Sequence, residues 1–260
     1  MKTLVIGDIH GRLCWWDIIE KENPDKVVFL GDYVSTHHLI SSDQQLSNLE
    51  DILNYKEENP DKVVLLRGNH DDQHLGYYWA QCSGWDSKVE QYMSEREFKK
   101  RFLRLTQWVY IIPGTNIVCS HAGIGQYFLQ ECNKKTKSEH RSVLEQISEI
   151  NRLVPSELFG FTPNRISDYS GESSTQPCTW IRPYTLLHYG VRGITHVVGH
   201  TPIKHICNIK EESLKLREKH GITEAEDIVK DYCDIWCCDN LQNKEYLVIE
   251  DGKFIPKILE

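Results

Sequence analysis

The sequence predicts an α/β fold, and three observations predict it. Short runs of Val, Ile and Leu recur, and each ends in a polar cluster rich in Gly, Asp, Asn and His. The first connections between them are long enough for helices and carry apolar residues near helical spacing. One block, Glu22-Asn23-Pro24-Asp25-Lys26-Val27-Val28, recurs identically as Glu58-Asn59-Pro60-Asp61-Lys62-Val63-Val64.

In chain order, residues 2–6 form the first apolar run and lead to Gly7-Asp8-Ile9-His10-Gly11. Residues 13–20 then have helical spacing. The run 26–30 leads to Gly31-Asp32, residues 43–57 again look helical, and the run 62–66 leads to Arg67-Gly68-Asn69-His70-Asp71. Runs of four or five β-branched and Leu residues bounded by Gly are buried strands. Strand, helix, strand is the βαβ unit, with its right-handed crossover. The repeated block is then two similar corners: a helix end, a Pro turn, a strand. Two further runs, 116–119 and 195–198, lead to Ser120-His121-Ala122-Gly123 and Gly199-His200-Thr201-Pro202.

The rest is read as one domain over 1–260 with insertions near 72–107 and 124–180. The first insertion is aromatic and charged, with Tyr77, Tyr78, Trp79 and Trp85, and ends in a helical pattern over 95–105. The second is polar and helix-prone, then rich in Pro, Gly and Ser. Both follow motif-bearing strands and are placed to wall a site. Residues 209–231 look helical. Residues 246–249 and 253–258, around Asp251-Gly252, read as a terminal hairpin.

Composition narrows the class. With 40% hydrophobic and 26% charged residues the chain reads as an ordinary soluble protein. It has no apolar run long enough to span a membrane, and its N-terminus runs straight into the first motif, so a cytoplasmic location is expected. A net charge of -8 argues against non-specific nucleic-acid binding and leaves room for a small phosphorylated ligand or one phosphate on a larger one. The nine cysteines have scattered spacings and read as reduced, mostly buried thiols. Cys233, Cys237 and Cys238 cluster, and a soft metal site there is the alternative.

Ligands in open α/β sheets bind beyond the carboxyl ends of the strands. Five strands here put metal-type donors at that end: Asp8 and His10, Asp32, Asn69 and His70, His121, and His200. Carboxylate, amide and imidazole donors suit manganese first, with iron or zinc next, rather than calcium. A carboxylate can bridge two ions about 3.5–4 Å apart. Asp32, in a Gly-Asp turn between the other clusters, is the candidate bridge. A lone His after a strand is usually structural. Five such clusters in one order, each after an apolar run, point to a dinuclear site.

At these motifs the chain resembles the calcineurin-like metallophosphoesterases and, within them, the Ser/Thr protein phosphatase branch with its short bacterial and phage enzymes. Gly-Asp-Tyr-Val at 31–34 and Trp-Ile-Arg-Pro at 180–183 complete the set. The resemblance implies a central β-sandwich of mixed sheets flanked by helices, in four layers. It implies two divalent metal ions, the first on Asp8 and His10, the second on Asn69, His121 and His200, with Asp32 between them. It implies that His70 protonates the leaving oxygen and that Arg182 clamps the phosphate while a metal-bridging hydroxide attacks. A surface Arg packed on Trp180 is the bland alternative for Arg182.

The chain also departs from the pattern. The family continues Gly-Asp-Tyr-Val with Asp-Arg-Gly, but here Ser35 and Thr36 follow, then His37 and His38. The carboxylate that would support the general acid is Ser35, and the second phosphate-binding Arg is Thr36. His37 or His38 is the candidate replacement donor, weighed against two exposed loop residues. The leading expectation is hydrolysis of phosphate monoesters, phosphoprotein included. The alternative is a nucleotide or dinucleoside polyphosphate hydrolase or an RNA-end phosphoesterase, with the insertion's aromatics stacking on a base. A non-catalytic scaffold would not need every metal position kept.

Overall fold

The computed structural model describes residues 1–36, 39–76, 82–154, 170–219 and 232–260. Strands β1 (Lys2–Ile6), β2 (Lys26–Phe29) and β3 (Val63–Leu66) lie side by side and parallel. Helices α1 (Trp15–Glu22) and α2 (Ser42–Glu58) make the crossovers. The repeated block does what its composition requires: it ends each helix and starts the next strand, and its valines pair in register, Val27 with Val63 and Val28 with Val64. Asn23 closes α1 in a left-handed conformation (φ 40°), whereas Asn59 closes α2 without one (φ -128°).

A two-residue strand β4 (Thr106–Gln107) extends this sheet beyond β3. On the other edge β10 (Glu245–Glu250) pairs antiparallel with β1 and continues into β11 (Lys253–Ile258). The hairpin turn is Asp251-Gly252, both with positive φ, which suits the twist of a two-residue turn. The second sheet holds β5 (Val109–Ile111), β6 (Ile117–Ser120), β7 (Thr195–Val198), β8 (Cys207–Asn208) and β9 (Asp234–Cys237), in the order β5-β6-β7-β9-β8. Its β6, β7 and β9 are parallel.

Alternate residues of the apolar runs face opposite ways. Val5, Val28 and Val64 meet Cys119, Val197 and Cys238 between the sheets. Leu4, Ile6, Phe29 and Leu65 face α1, α2 and a third helix, α5 (Arg96–Leu105), through Trp15, Leu49, Ile52 and Phe102. On the far side, α6 (Gln126–Thr136), α7 (Val143–Glu149) and α8 (Pro183–Tyr189) cover the second sheet. The result is four layers, helix, sheet, sheet, helix, and both faces of the central strands β1, β2, β3, β6 and β7 are buried. That is why the strands read as continuous apolar runs.

Several details differ from the sequence reading. Strands β5 and β9 and helices α3 (Asn69–His74), α4 (Ser87–Met93) and α8 were not anticipated. The helix expected over 209–231 is α9 (Ile209–Lys219) among the described residues, and 220–231 lie outside them. The cysteines are free thiols. Cys237 and Cys238 are consecutive and face opposite layers, while Cys233 Sγ turns to the Val191 carbonyl. Among the described residues no group of three metal-type donors includes a cysteine. No described helix is long and apolar enough to cross a membrane.

Candidate metal centre and active site

The carboxyl ends of six parallel strands meet at one edge of the sandwich. β1 delivers Asp8 and His10, β2 Asp32, β3 Asn69 and His70, β6 His121, β7 His200 and β9 Asp239. All of them but His121, which lies behind Asn69 and His200, line a cavity of about 200 Å³. Two groups form among them. Asp8, His10 and Asp32 have donor atoms within 4.8 Å of one another, and so do Asp32, His121 and His200. Asp32 belongs to both. Asn69 Oδ1 joins the second group, 3.0 Å from His121 Nε2 and 2.9 Å from His200 Nδ1.

Hydrogen bonds on the far side of each ligand decide what faces the cavity. His10 Nδ1 donates to the Val34 carbonyl (3.0 Å), His121 Nδ1 to the Leu30 carbonyl (2.8 Å) and His200 Nε2 to the Trp180 carbonyl (3.1 Å). A carbonyl only accepts, so the other nitrogen of each neutral ring turns a lone pair inward. The Asn69 NH2 donates to Cys82 Sγ (3.2 Å), which leaves its oxygen facing in. The inward atoms are therefore all acceptors, packed about 3–4 Å apart: His121 Nε2 is 3.4 Å and His10 Nε2 3.9 Å from Asp32 Oδ2. Acceptors this close repel one another unless a cation lies among them. Donors about 2.1 Å from one ion would sit at roughly this spacing. The residues present fit two divalent cations.

Local backbone makes this geometry. His10, Asp32 and His200 adopt left-handed conformations (φ 45°, 52° and 65°), which turn each side chain back over its strand end. The Asp71 carboxylate accepts from the N–H groups of Asp32 (2.9 Å), Tyr33 (2.8 Å) and Gly68 (2.9 Å), and so locks the β2 loop to the β3 loop. A Cβ on Gly68 would overlap Asp32 Oδ1, and one on Gly199 would overlap Asp8 Oδ1. Glycine is needed at both places.

Comparison with known proteins agrees with this arrangement. The model of the calcineurin-like phosphoesterase family matches residues 1–223. The chain belongs to that family.

Among solved structures, a Saccharomyces cerevisiae protein serine/threonine phosphatase, described as similar to human phosphatase PP5, superposes with a TM-score of 0.52 at 12% identity. That match covers 99% of this chain and 79% of the yeast one. A metallophosphoesterase from Sphaerobacter thermophilus gives 0.42 at 13% identity over 100% and 89% of the two chains. The phosphatase domain of the Legionella effector WipB gives 0.43 at 16% over 68% and 71%. Of these three, the yeast structure superposes well enough to support a shared fold. A search of curated proteins found no match. Family and fold together make this chain a metal-dependent phosphoesterase.

The electrostatics of this phosphoesterase centre follow from burial. Burial raises the carboxyls of Asp8 and Asp32 well above the ordinary range, and neighbouring carboxylates add to it: Asp239 on Asp8, and Asp8 on Asp32. Burial pushes His121 down to about 3 and His200 well below its usual value, so both rings are neutral, as a metal ligand must be. Asp239, raised to about 6 by burial against the pull of Arg12 and Arg182, faces Asp8 across the cavity.

The remaining predicted residues fall as follows. Arg182 lines the cavity; its Nη1 donates to the His200 carbonyl (3.3 Å) and Thr201 Oγ1 (3.1 Å), and its Nε to the Ser170 carbonyl (3.0 Å). It is pinned into the site wall, not spread on the surface. His70 also lines the cavity, with Nε2 3.9 Å from Asp32 Oδ2. His37 and His38, and the aromatics Tyr77, Tyr78 and Trp79, lie outside the described residues. Both insertions reach the site: Cys82 and Ser83 line the cavity, and Ser170 holds Arg182.

Sequence reasoning missed Asp239, Asp71 and Arg12. Asp239 follows β9, whose Ile-Trp-Cys has one β-branched residue and lacks the Val, Ile and Leu runs that marked the other strands. Asp71 and Arg12 sit inside or beside the quoted motifs, but nothing in their spacing separates a loop-locking carboxylate from a ligand.

Proposed function

We propose that this enzyme hydrolyses phosphate monoesters at a two-metal centre formed by Asp8, His10, Asp32, Asn69, His121 and His200. The observation that carries the reading is the membership of Asp32 in both donor groups. Two cations sharing one carboxylate stand close enough to act on one phosphate. When bound, such ions supply an acidified water as nucleophile and positive charge for the phosphoryl oxygens. The donor set favours manganese, with iron or zinc as alternatives.

The chain's own residues do the rest. Arg182, whose Nε and Nη1 hydrogens are held by Ser170, His200 and Thr201, keeps its Nη2 hydrogens for phosphate oxygens. His70 Nε2, on the cavity wall beside Asp32, gives a hydrogen bond to the leaving oxygen. The cavity of about 200 Å³ admits a phosphoryl group and leaves the rest of the substrate outside. This favours a phosphate displayed on a larger molecule, such as a phosphoprotein.

The test is turnover of an aryl phosphate by chelator-stripped protein before and after manganese is restored, followed by a phosphopeptide and a panel of nucleotides. Activity should return with the metal, and the phosphopeptide should be turned over faster than any nucleotide. No activity with manganese, iron or zinc would refute the reading. Nucleotides as the best substrates would replace its substrate class.

A further inference from the structure

We propose that Gln73 is a positioning residue that fixes the tautomer of His70, holding the ring hydrogen on Nε2 and aimed into the cavity. The inference rests on the monoesterase reading only for its catalytic consequence. Its structural part stands on the hydrogen-bond chemistry of the α3 helix, Ser35 and Cys82.

The argument begins with the orientation of the Gln73 amide. The backbone N–H of Cys82 is 2.8 Å from Gln73 Oε1. A backbone N–H can only donate, so the atom facing it is the amide oxygen. The NH2 group therefore points the other way. There it has two neighbours: Ser35 Oγ at 3.0 Å and His70 Nδ1 at 3.4 Å. The two hydrogens of the NH2 match these two acceptors. Ser35 is buried and left-handed (φ 66°), and its Oγ is also 2.8 Å from His74 Nε2. The amide cannot turn over without leaving buried groups unmatched: Gln73 and His74 are buried as well.

The consequence passes to His70. An imidazole nitrogen that accepts from an amide NH2 carries a lone pair, so the ring is neutral with its hydrogen on Nε2. It serves the leaving oxygen as a hydrogen-bond donor while water supplies the proton, since full transfer from the ring would leave an imidazolate. Nε2 is the atom 3.9 Å from Asp32 Oδ2, on the cavity wall. A carboxylate at position 35 would hold a histidine by accepting its Nδ1 hydrogen. This chain has a hydroxyl there and fixes the ring from position 73 with a donor instead. The same Cys82 orients Asn69 through its sulfur and Gln73 through its N–H. Cys82 thus sets the hydrogen-bond sense of the Asn69 amide and of the Gln73 amide that holds His70.

The deciding experiment reads the tautomer directly. Long-range nitrogen–proton correlation spectra of the zinc-loaded protein, with 15N-labelled histidine and His70→Asn for assignment, distinguish hydrogen on Nε2 from hydrogen on Nδ1. The wild type should show His70 with hydrogen on Nε2 alone, and Gln73→Glu should put hydrogen on Nδ1. Hydrogen on Nδ1 in the wild type, or no change in Gln73→Glu, would overturn the proposal even if the enzyme is fully active. Conversely, the expected spectra from a protein that hydrolyses nothing would uphold it and refute the monoesterase reading alone. Kinetics supply the functional arm. Gln73→Leu, with its metal content checked, should lose at least about tenfold more kcat on an alkyl phosphate than on an aryl phosphate with an acidic leaving group, because only the former needs the donor. KM should stay within about twofold. Equal losses on both substrates would mean that Gln73 merely supports the fold.

Discussion

The backbone of Asp32 is left-handed, its amide is held by Asp71, and its carboxylate is shared by two donor groups. At the residue scale the site is a set of such double commitments, in which each ligand is oriented by a partner behind it. Arg182 follows the same rule, with Ser170 holding its Nε and His200 and Thr201 holding its Nη1. Arg182→Ala should keep both metals and lose about 10²–10³-fold in turnover, as removal of one well-placed charge donor does elsewhere. Arg182→Lys should recover little, because one ammonium cannot keep the contacts to Ser170, His200 and Thr201 and also reach the phosphate. Metal analysis beside steady-state kinetics checks this. A loss of only a few-fold would return Arg182 to the surface-residue alternative. The candidate donors were legible because each stands directly after an apolar run. Their orienting partners were not, because they are carbonyls of Leu30, Val34 and Trp180 that the fold alone brings near.

At the scale of elements, the first sheet is closed by an ionic knot. Glu22, at the end of α1, is buried and accepts from Lys2 of β1 (2.6 Å), Tyr246 of β10 (2.8 Å) and Lys257 of β11 (2.9 Å). Burial alone would raise its carboxyl, but the hydrogen bonds from Lys2, Lys257 and Tyr246 win and hold it at about 2, against an ordinary 4.5. The folded value lies below the unfolded one, so the stabilisation is present in full above pH 4.5. It is lost as pH falls toward 2. Its size is up to about 3 kcal/mol. Urea melts at pH 7 and pH 3 should show a larger loss of stability for wild type than for Glu22→Gln. Equal losses would show that the knot contributes nothing. The repeated block, the terminal hairpin and α2 were readable because composition and spacing agree there. Strands β5 and β9 were not: β9 alternates buried with half-buried residues, and β5 is only three residues long.

For the whole molecule, six parallel strands from two sheets direct carboxylates and imidazoles into one edge of the sandwich. Asp8, Asp32, Asp71 and Asp239 are buried there together. Without cations the folded state carries their mutual repulsion and desolvation. Cations that bind only the folded chain should therefore stabilise it, by about 2.7 kcal/mol per site at a hundredfold excess over Kd. Thermal unfolding should shift upward with manganese and downward with a chelator. An unchanged midpoint would mean that the donor groups do not bind metal. The four-layer fold followed from the buried runs and the family resemblance. The meeting of the two sheets at one site did not follow from spacing alone, because no local pattern says which strand ends face each other across a sandwich.

The central claim is that Asp32 joins two metal sites into one hydrolytic centre. Its most direct test is a manganese titration of chelator-stripped protein, with ions per chain counted by mass spectrometry and aryl phosphate turnover followed at each point. The account predicts that turnover appears with the second equivalent in the wild type, and that Asp32→Asn holds fewer than two ions and stays inactive. Full turnover at one ion per chain, or an Asp32→Asn protein with two ions and a near-normal rate, would contradict it.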